Sequence, residues 1–209
     1  LLVANQTAFE ARYGTGLPVH AEYLGELNND GEDVTIIDTY YRTVLDFEYD
    51  DADAWPGRAD GRGSSLEVID TTLNYSDPEN WRSSAEYLGT PDASGVGDTA
   101  DVVVNEVLSH TDSPYVDSIE LWNTTAATID LGGWYLSDSW STLDKFRIPD
   151  GTFLGAGELI VFDESDFNMS DGVDPTDFAL DGAHGDDVWL VEANASGTLL
   201  RFVDHAEFG

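Results

Sequence analysis

Short apolar runs separated by turn residues dominate the second half of this chain, and they restrict the folds open to it. Some runs alternate apolar and polar residues, as Ser118–Trp122 does, and turn sequences such as Gly132-Gly133 and Pro149–Gly151 separate them. Alternation is typical of strands, and short strands with a turn about every 8–12 residues are typical of a β-sandwich. The predicted strands are Val102–Val107, Ser118–Trp122, Thr128–Leu131, Trp134–Leu136, Phe146–Ile148, Leu159–Phe162, Asp187–Val191 and Leu199–Val203.

Helical signals are few and short. Thr7 and Glu10 have the spacing of a capping box at the start of a helix. Asp77 before Pro78 is a second signal, because aspartate caps a helix and proline is tolerated at its first position. We therefore predict an all-β fold with a short helical turn in the first part of the chain.

An internal repeat divides the chain. Residues 1–50 resemble the second half of a module that spans residues 100–209, and the two copies keep the same order. The segment between them, residues 51–99, which we call the connector, is rich in Asp, Gly, Pro and Ser, and its Trp81 indicates that it packs on the first unit. We expect the sequence to start inside a longer polypeptide. The paired segments are Leu2–Phe9 with Ile160–Phe167, Gly31–Ile36 with Gly185–Leu190, and Thr43–Phe47 with Thr198–Phe202.

The charge of the chain excludes several classes of partner. Its 209 residues include 42 Asp and Glu but only 8 Lys and Arg, giving a net charge of −34. Nucleic acids and anionic membranes are not expected partners, because both bind through clusters of basic residues. No apolar run is long enough to span a membrane. The absence of cysteine excludes disulfides and thiolate metal sites.

The motifs of the second half resemble those of the lamin tail domain family. The segments that carry the resemblance are Val103–Val107, Ile119–Asn123, Asp130–Asp138, Phe146–Thr152 and Gly157–Phe162. The first unit matches only the later part of this pattern. Residues 55–91 are similar to the segment that follows such domains in large secreted bacterial proteins, where they accompany spore-coat-kinase-like or hydrolase domains.

The resemblance implies an immunoglobulin-like β-sandwich with no catalytic residues of its own. It further implies a non-catalytic, extracellular interaction or scaffold module, one of tandem copies in a larger secreted or cell-surface protein. The alternative is a targeting or carbohydrate-binding appendage of a secreted hydrolase or kinase-like enzyme whose active site lies elsewhere. Expected partners are a protein or a glycan at the cell surface or matrix, and neighbouring domains of the same polypeptide.

Two acidic clusters are candidate sites for structural calcium, because hard cations take oxygen ligands from carboxylates and loop carbonyls. Neither cluster has the spacing of an EF-hand, and the alternative is that both are hydrated acidic loops. The first cluster comprises Asp50, Asp51, Asp53 and Asp60, and the second comprises Asp163, Glu164, Asp166, Asp171, Asp174 and Asp177.

Three tryptophans are candidates for ligand binding. Trp122 is predicted to point outward from its strand, and Trp55 and Trp140 lie near loops, where an indole can stack on a sugar or anchor a partner. The alternative is packing against the connector or a neighbouring domain.

The histidines suggest no catalytic site. His184 precedes two aspartates and His205 follows another, but the matching stretches of the first unit contain no histidine. We therefore interpret residues 184–187 as a turn that enters a strand. We expect His20 and His110 to be solvated loop residues, and the protein not to be an enzyme.

Overall fold

The computed structural model describes residues 1–52, 54–109, 111, 114–170 and 172–209. The chain divides into two compact units, Leu1–Gly97 and Asp98–Gly209. Most of the regular structure is antiparallel β-strand and little is helix, so the predicted all-β class is confirmed. The finer division at residues 50 and 99 stays a prediction.

The described part of the first unit contains one α-helix, two single 3₁₀ turns and pairs of short strands. In chain order these elements are β1 (Leu2–Val3), α1 (Gln6–Tyr13), β2 (Ala21–Glu22), β3 (Glu32–Ile37), β4 (Thr43–Tyr49), a 3₁₀ turn (Gly57–Ala59), β5 (Leu66–Val68), a second 3₁₀ turn (Pro78–Asn80) and β6 (Trp81–Ser83). Strand β1 pairs with β2 in parallel, whereas β3 pairs with β4 and β5 with β6 in antiparallel fashion.

Helix α1 confirms the predicted helical segment, but its cap differs from the expected one. The side-chain Oδ1 of Asn5 accepts a hydrogen bond from the Ala8 amide at 2.9 Å, so Asn5 is the N-cap and Thr7 lies inside the helix. Asparagine is among the best N-caps because its short side chain reaches the free amides of the first turn. The second signal is confirmed, because Asp77 caps the turn Pro78–Asn80.

The described part of the second unit is built from two facing sheets. Its elements are β7 (Val102–Leu108), β8 (Ser118–Asn123), β9 (Ile129–Asp130), β10 (Tyr135–Ser137), β11 (Phe146–Arg147), β12 (Phe153–Leu154), β13 (Leu159–Asp163), α2 (Glu164–Phe167), β14 (Asp186–Ala193) and β15 (Leu199–Phe208). One sheet has the strand order β11-β10-β14-β15 and the other the order β13-β8-β7, while β12 pairs separately with β9. Every predicted strand is present, and β12 is a strand that was not predicted.

The two sheets enclose a single hydrophobic core, which makes this unit an immunoglobulin-like sandwich. Leu136 and Leu190 contribute from one sheet and Ile119 and Leu121 from the other, and all four are fully buried. Inner faces that interdigitate in this way are the usual means by which a sandwich excludes water. Strand β8 also shows the predicted alternation, because Trp122 between buried neighbours is 39% exposed.

Asn123 is a fully buried polar residue at the end of β8. Its Nδ2 donates to the carbonyl oxygens of Ala127, Leu154 and Gly155 at 2.7, 2.9 and 3.0 Å. Its Oδ1 accepts from the amide and hydroxyl of Thr125 at 2.9 and 2.8 Å. A buried polar group needs hydrogen-bond partners to offset the cost of its desolvation. Asn123 finds them in the backbone of two loops and thereby holds these loops in place.

A similar antiparallel hairpin occurs in both units. Gly31 precedes β3 and Gly185 precedes β14, and both have a left-handed backbone, with φ of +95° and +89°. A β-bulge follows the fifth residue of the first strand in each case, Ile36 in β3 and Leu190 in β14. A short strand and a helix precede each hairpin. The two hairpins differ in the length of their second strand, which is 7 residues in β4 and 10 in β15.

Candidate functional site

A cavity of about 400 Å³ lies in the first unit, between hairpin β3–β4 and the connector. We call it the aromatic cavity. Its lining combines aromatic rings with three of the carboxylates of the first acidic cluster. The relevant lining residues are Phe47, Tyr49, Trp81, Asp50, Asp51 and Asp60.

Trp81 is the centre of the aromatic wall. Its ring lies 5.6 Å from that of Phe47 in a stacked arrangement, 5.8 Å from Tyr75 edge to face, and 6.0 Å from Trp55. Its Nε1 donates to the carbonyl oxygen of Tyr75 at 2.7 Å, which fixes the plane of the indole. Trp55, a predicted ligand-binding residue, is thus half-buried against Trp81, in line with the packing alternative.

The carboxylates of the cavity differ in their surroundings. The backbone amides of Ala52 and Asp51 donate to Asp50 and hold the pKa of that carboxyl below its usual value. Burial raises the pKa of Asp51, and a hydrogen bond with Asp50 and the charge of Asp60 act in the same direction. Asp51 and Asp60 are therefore close enough for their negative charges to interact.

The start of the second acidic cluster caps helix α2. Asp163 accepts from the Ser165 amide at 2.8 Å, and Asp166 accepts from the Asp163 amide at 3.1 Å, which together form a capping box. Glu164 accepts from the side chain of Asn168 at 3.1 Å. Asp163 and Asp166 thus satisfy free amides at the helix start, where negative charge is also favourable.

Asp174 and Asp177, from the same cluster, close a loop. Asp174 accepts from the amide and hydroxyl of Thr176, and these bonds hold the pKa of Asp174 below its usual value. Asp177 accepts from the amides of Ser170 and Gly172 at 3.1 and 3.2 Å. Aspartate is suited to both tasks, since its carboxylate reaches backbone amides a few residues away.

The calcium prediction is not tested by these contacts. Asp53 and Asp171, one from each cluster, lie outside the described residues. Among the residues that the structure describes, no group of three or more His, Asp or Glu side chains is placed to hold a metal ion. Structural calcium therefore stays a prediction.

The histidines of the second unit pair with different aspartates. His184 Nδ1 lies 2.9 Å from Asp181, whereas His205 Nε2 lies 2.7 Å from Asp187 and its ring stacks on Trp189 at 3.8 Å. The predicted turn is confirmed, because strand β14 begins directly after Gly185. The pairing of His205 with Asp187 was missed, since the two residues lie on different strands.

Asp204 and His20 each make a contact away from the acidic clusters. Asp204 Oδ2 accepts from the Val104 amide at 2.7 Å, which ties β15 to β7 across the sandwich. His20 is exposed, with Nδ1 2.8 Å from the carbonyl oxygen of Pro18. His110 lies outside the described residues.

The outer face of sheet β13-β8-β7 carries an exposed apolar patch, which we call the Trp122 face. Trp122 is paired across the strands with Val103 and Leu159, and Val161 lies on the same side of β13. Leu159 and Val161 are each 52% exposed. Trp140, the third predicted ligand-binding residue, is 46% exposed on a separate loop.

Arg201 is placed among acids and joins separate segments of the second unit. Its guanidinium donates to Asp101 at 2.8 Å and to Glu192 at 2.5 Å. Burial acts to raise the pKa of Asp101, but the hydrogen bonds from Arg201 and Thr99 outweigh it and leave that pKa below its usual value. Fixed pairs of this kind offset part of the self-repulsion of so acidic a surface.

Comparison with known proteins gives one family. A family model described as Lamin Tail Domain matches residues 96–207, which is more than half of the chain. No curated protein matches the chain. Within the described residues, no helix has the length and apolarity needed to cross a membrane.

Proposed function

Because the chain belongs to the lamin tail domain family, we propose that it is a non-catalytic interaction and scaffold module of a larger secreted or cell-surface protein. The family is a non-enzymatic one with an immunoglobulin-like fold, and its domains are of the protein-interaction type. The observation that carries the proposal is the Trp122 face, an apolar patch on the outside of an otherwise well-packed sandwich. Exposed apolar patches of this kind mark interaction surfaces.

We further propose that residues 1–50 are the later part of a preceding lamin-tail-like domain, with residues 51–99 as a connector packed on it. The support is the shared hairpin, with its preceding glycine and its bulge at the same place. Bulges are specific features, so coincidence at one position in two hairpins favours a common origin for the two units.

Extracellular location fits the composition. A net charge of −34 keeps such a module soluble, and bound or screening cations relieve its self-repulsion. Structural calcium in an acidic loop is part of this proposal. If it is correct, millimolar calcium raises the melting temperature and a chelator lowers it; an unchanged melting temperature under both conditions refutes the calcium component.

The alternative is an appendage that binds a substrate or carbohydrate for an enzyme domain elsewhere in the same polypeptide. Exposed Trp122 and Trp140 favour it, because indole rings stack on sugars. A glycan array discriminates between the two. Binding that is lost in Trp122→Ala or Trp140→Ala, and kept in Trp55→Phe, supports the appendage; binding to no glycan supports the scaffold.

The decisive experiment identifies the native polypeptide. An antibody raised against this chain is used to recover the protein from culture medium, intact cell surface and cell interior, and the captured material is analysed by mass spectrometry. The scaffold proposal expects recovery from medium or surface, in a polypeptide with further lamin-tail repeats. Recovery only from the cell interior contradicts it, and a catalytic domain in the same polypeptide favours the appendage.

A further inference from the structure

The aromatic cavity lies on the face of the first hairpin that corresponds to the core face of the second. By the common position of glycine and bulge, Val34 and Ile36 of β3 correspond to Val188 and Leu190 of β14. Val188 and Leu190 are both fully buried in the sandwich core, whereas Ile36 is 37% exposed.

In the first unit this face of the hairpin packs against the connector, whereas in the second unit it packs against a second sheet. Val34 and Phe47 line the aromatic cavity together with Leu66 and Trp81 of the connector. The short strand pair β5–β6, with a few large rings, does not fill the space as the larger second sheet of the other unit does, and an open volume is left. Its size is within the range of small-molecule sites.

We propose that the aromatic cavity binds a small organic cation, an alkylammonium group, through the rings of Trp81 and Phe47 and the carboxylates of Asp51 and Asp60. Aromatic rings attract a cation with their negative faces while excluding water from its apolar body. Carboxylates beside them supply the opposite charge. This inference goes beyond the scaffold role and does not depend on it.

The charges of the cavity favour this occupant over a neutral one. Three carboxylates belong to the lining, and the raised pKa of Asp51 reflects burial and the nearby acids. A bound cation would reverse that effect by stabilising the ionised form. Arg58 lies close by in the chain, but its guanidinium donates to Ser64 and to the carbonyl oxygen of Ser84.

The rings favour an organic cation over a metal ion. Calcium requires six to eight oxygen ligands, and most of this lining consists of apolar side chains that supply none. An alkylammonium needs fewer polar contacts, because its charge is spread over a surface that packs well against indole and phenyl rings.

The proposal is tested by measuring the affinity of the whole chain for choline with isothermal titration calorimetry. The matched ligand is 3,3-dimethyl-1-butanol, which has the same shape without the charge. We expect choline to bind about tenfold more tightly than this neutral analogue. Equal affinity for the two ligands, or no choline binding, overturns the proposal. Calcium binding in the absence of choline binding also overturns it.

Variants locate the binding site. Asp51→Asn, Asp60→Asn and Trp81→Phe should each weaken choline binding about three- to tenfold. Asp33→Asn removes the same charge from the exposed side of the same hairpin, and Trp122→Phe makes the same ring change in the other unit; both should bind normally. Asp60 is exposed, so its substitution keeps the fold even if Trp81→Phe does not. Choline binding that survives Asp60→Asn and Asp51→Asn unchanged refutes the assignment.

Discussion

Replacing Asn123 by alanine removes both the donor and the acceptor of a buried side-chain amide. The hydrogen bonds that are lost determine how much the protein is destabilised. The three carbonyl oxygens of Ala127, Leu154 and Gly155 lose their donor, and the bond to Leu154 is the fully buried one. A buried acceptor without a partner costs about 1–3 kcal/mol. Water can replace the donor at the two partly buried carbonyls, so the unpaired Leu154 carbonyl sets an expected loss of about 1–3 kcal/mol in the free energy of unfolding.

Urea denaturation followed by tryptophan fluorescence measures this loss. Asn105→Ala is the control, because Asn105 is exposed and makes one side-chain hydrogen bond, to Glu120 at 2.7 Å. It should cost less than about 1 kcal/mol. Asn123→Asp should be worse than Asn123→Ala, since it turns a carboxylate toward three carbonyl oxygens. If Asn123→Ala were no more destabilising than Asn105→Ala, the network would not hold the loops together.

Three further predictions concern single side chains. Asp101→Asn should lower the melting temperature at pH 7, and the difference from the unsubstituted protein should shrink as pH falls below about 4. The reason is that the pKa of Asp101 is depressed in the folded state, so its contribution to stability is lost when the carboxylate is protonated. A difference in melting temperature that is constant with pH contradicts this. Gly31→Ala should cost more stability than Gly61→Ala by chemical denaturation: both have positive φ, but only at Gly31 does a Cβ meet a backbone oxygen, at 2.5 Å. Trp122→Ala should change the free energy of unfolding little, whereas Leu121→Ala should cost about 2–5 kcal/mol in the same assay; similar losses would mean that Trp122 is part of the core.

The second unit could be predicted well because its signals are local. Alternation in β8 fixes which residues face the core, and Gly133 and Gly151 occupy left-handed positions that few other residues adopt. Strand β12 was missed because two residues, Phe153 and Leu154, are too short to show a period. The helix cap was misplaced because Thr7 and Asn5 are both good caps and only the backbone decides between them.

The candidate site could be predicted only in part. The aspartates around residue 50 were predicted as a candidate calcium site, which stays a prediction. The aromatic wall beside them was not predicted, because it brings Trp81 next to Phe47 from a distant part of the chain. The periodicity of apolar residues carries no information about contacts between residues that are far apart in the sequence. The acids of the second cluster were grouped by proximity in sequence, whereas Asp163 caps a helix and Asp174 closes a local turn. A contact between strands, such as His205 with Asp187, is likewise visible only when the register is known.

The unequal length of the two hairpins has a consequence for folding. A chain with two similar hairpins risks pairing the first strand of one with the second strand of the other while it folds. If β4, with 7 residues, took the place of β15, with 10, part of β14 would be left without a partner. Each bulge also fixes one register, since a slip by one residue would turn the apolar side chains to the wrong face. The length difference and the bulges therefore both disfavour pairing between strands of the two hairpins.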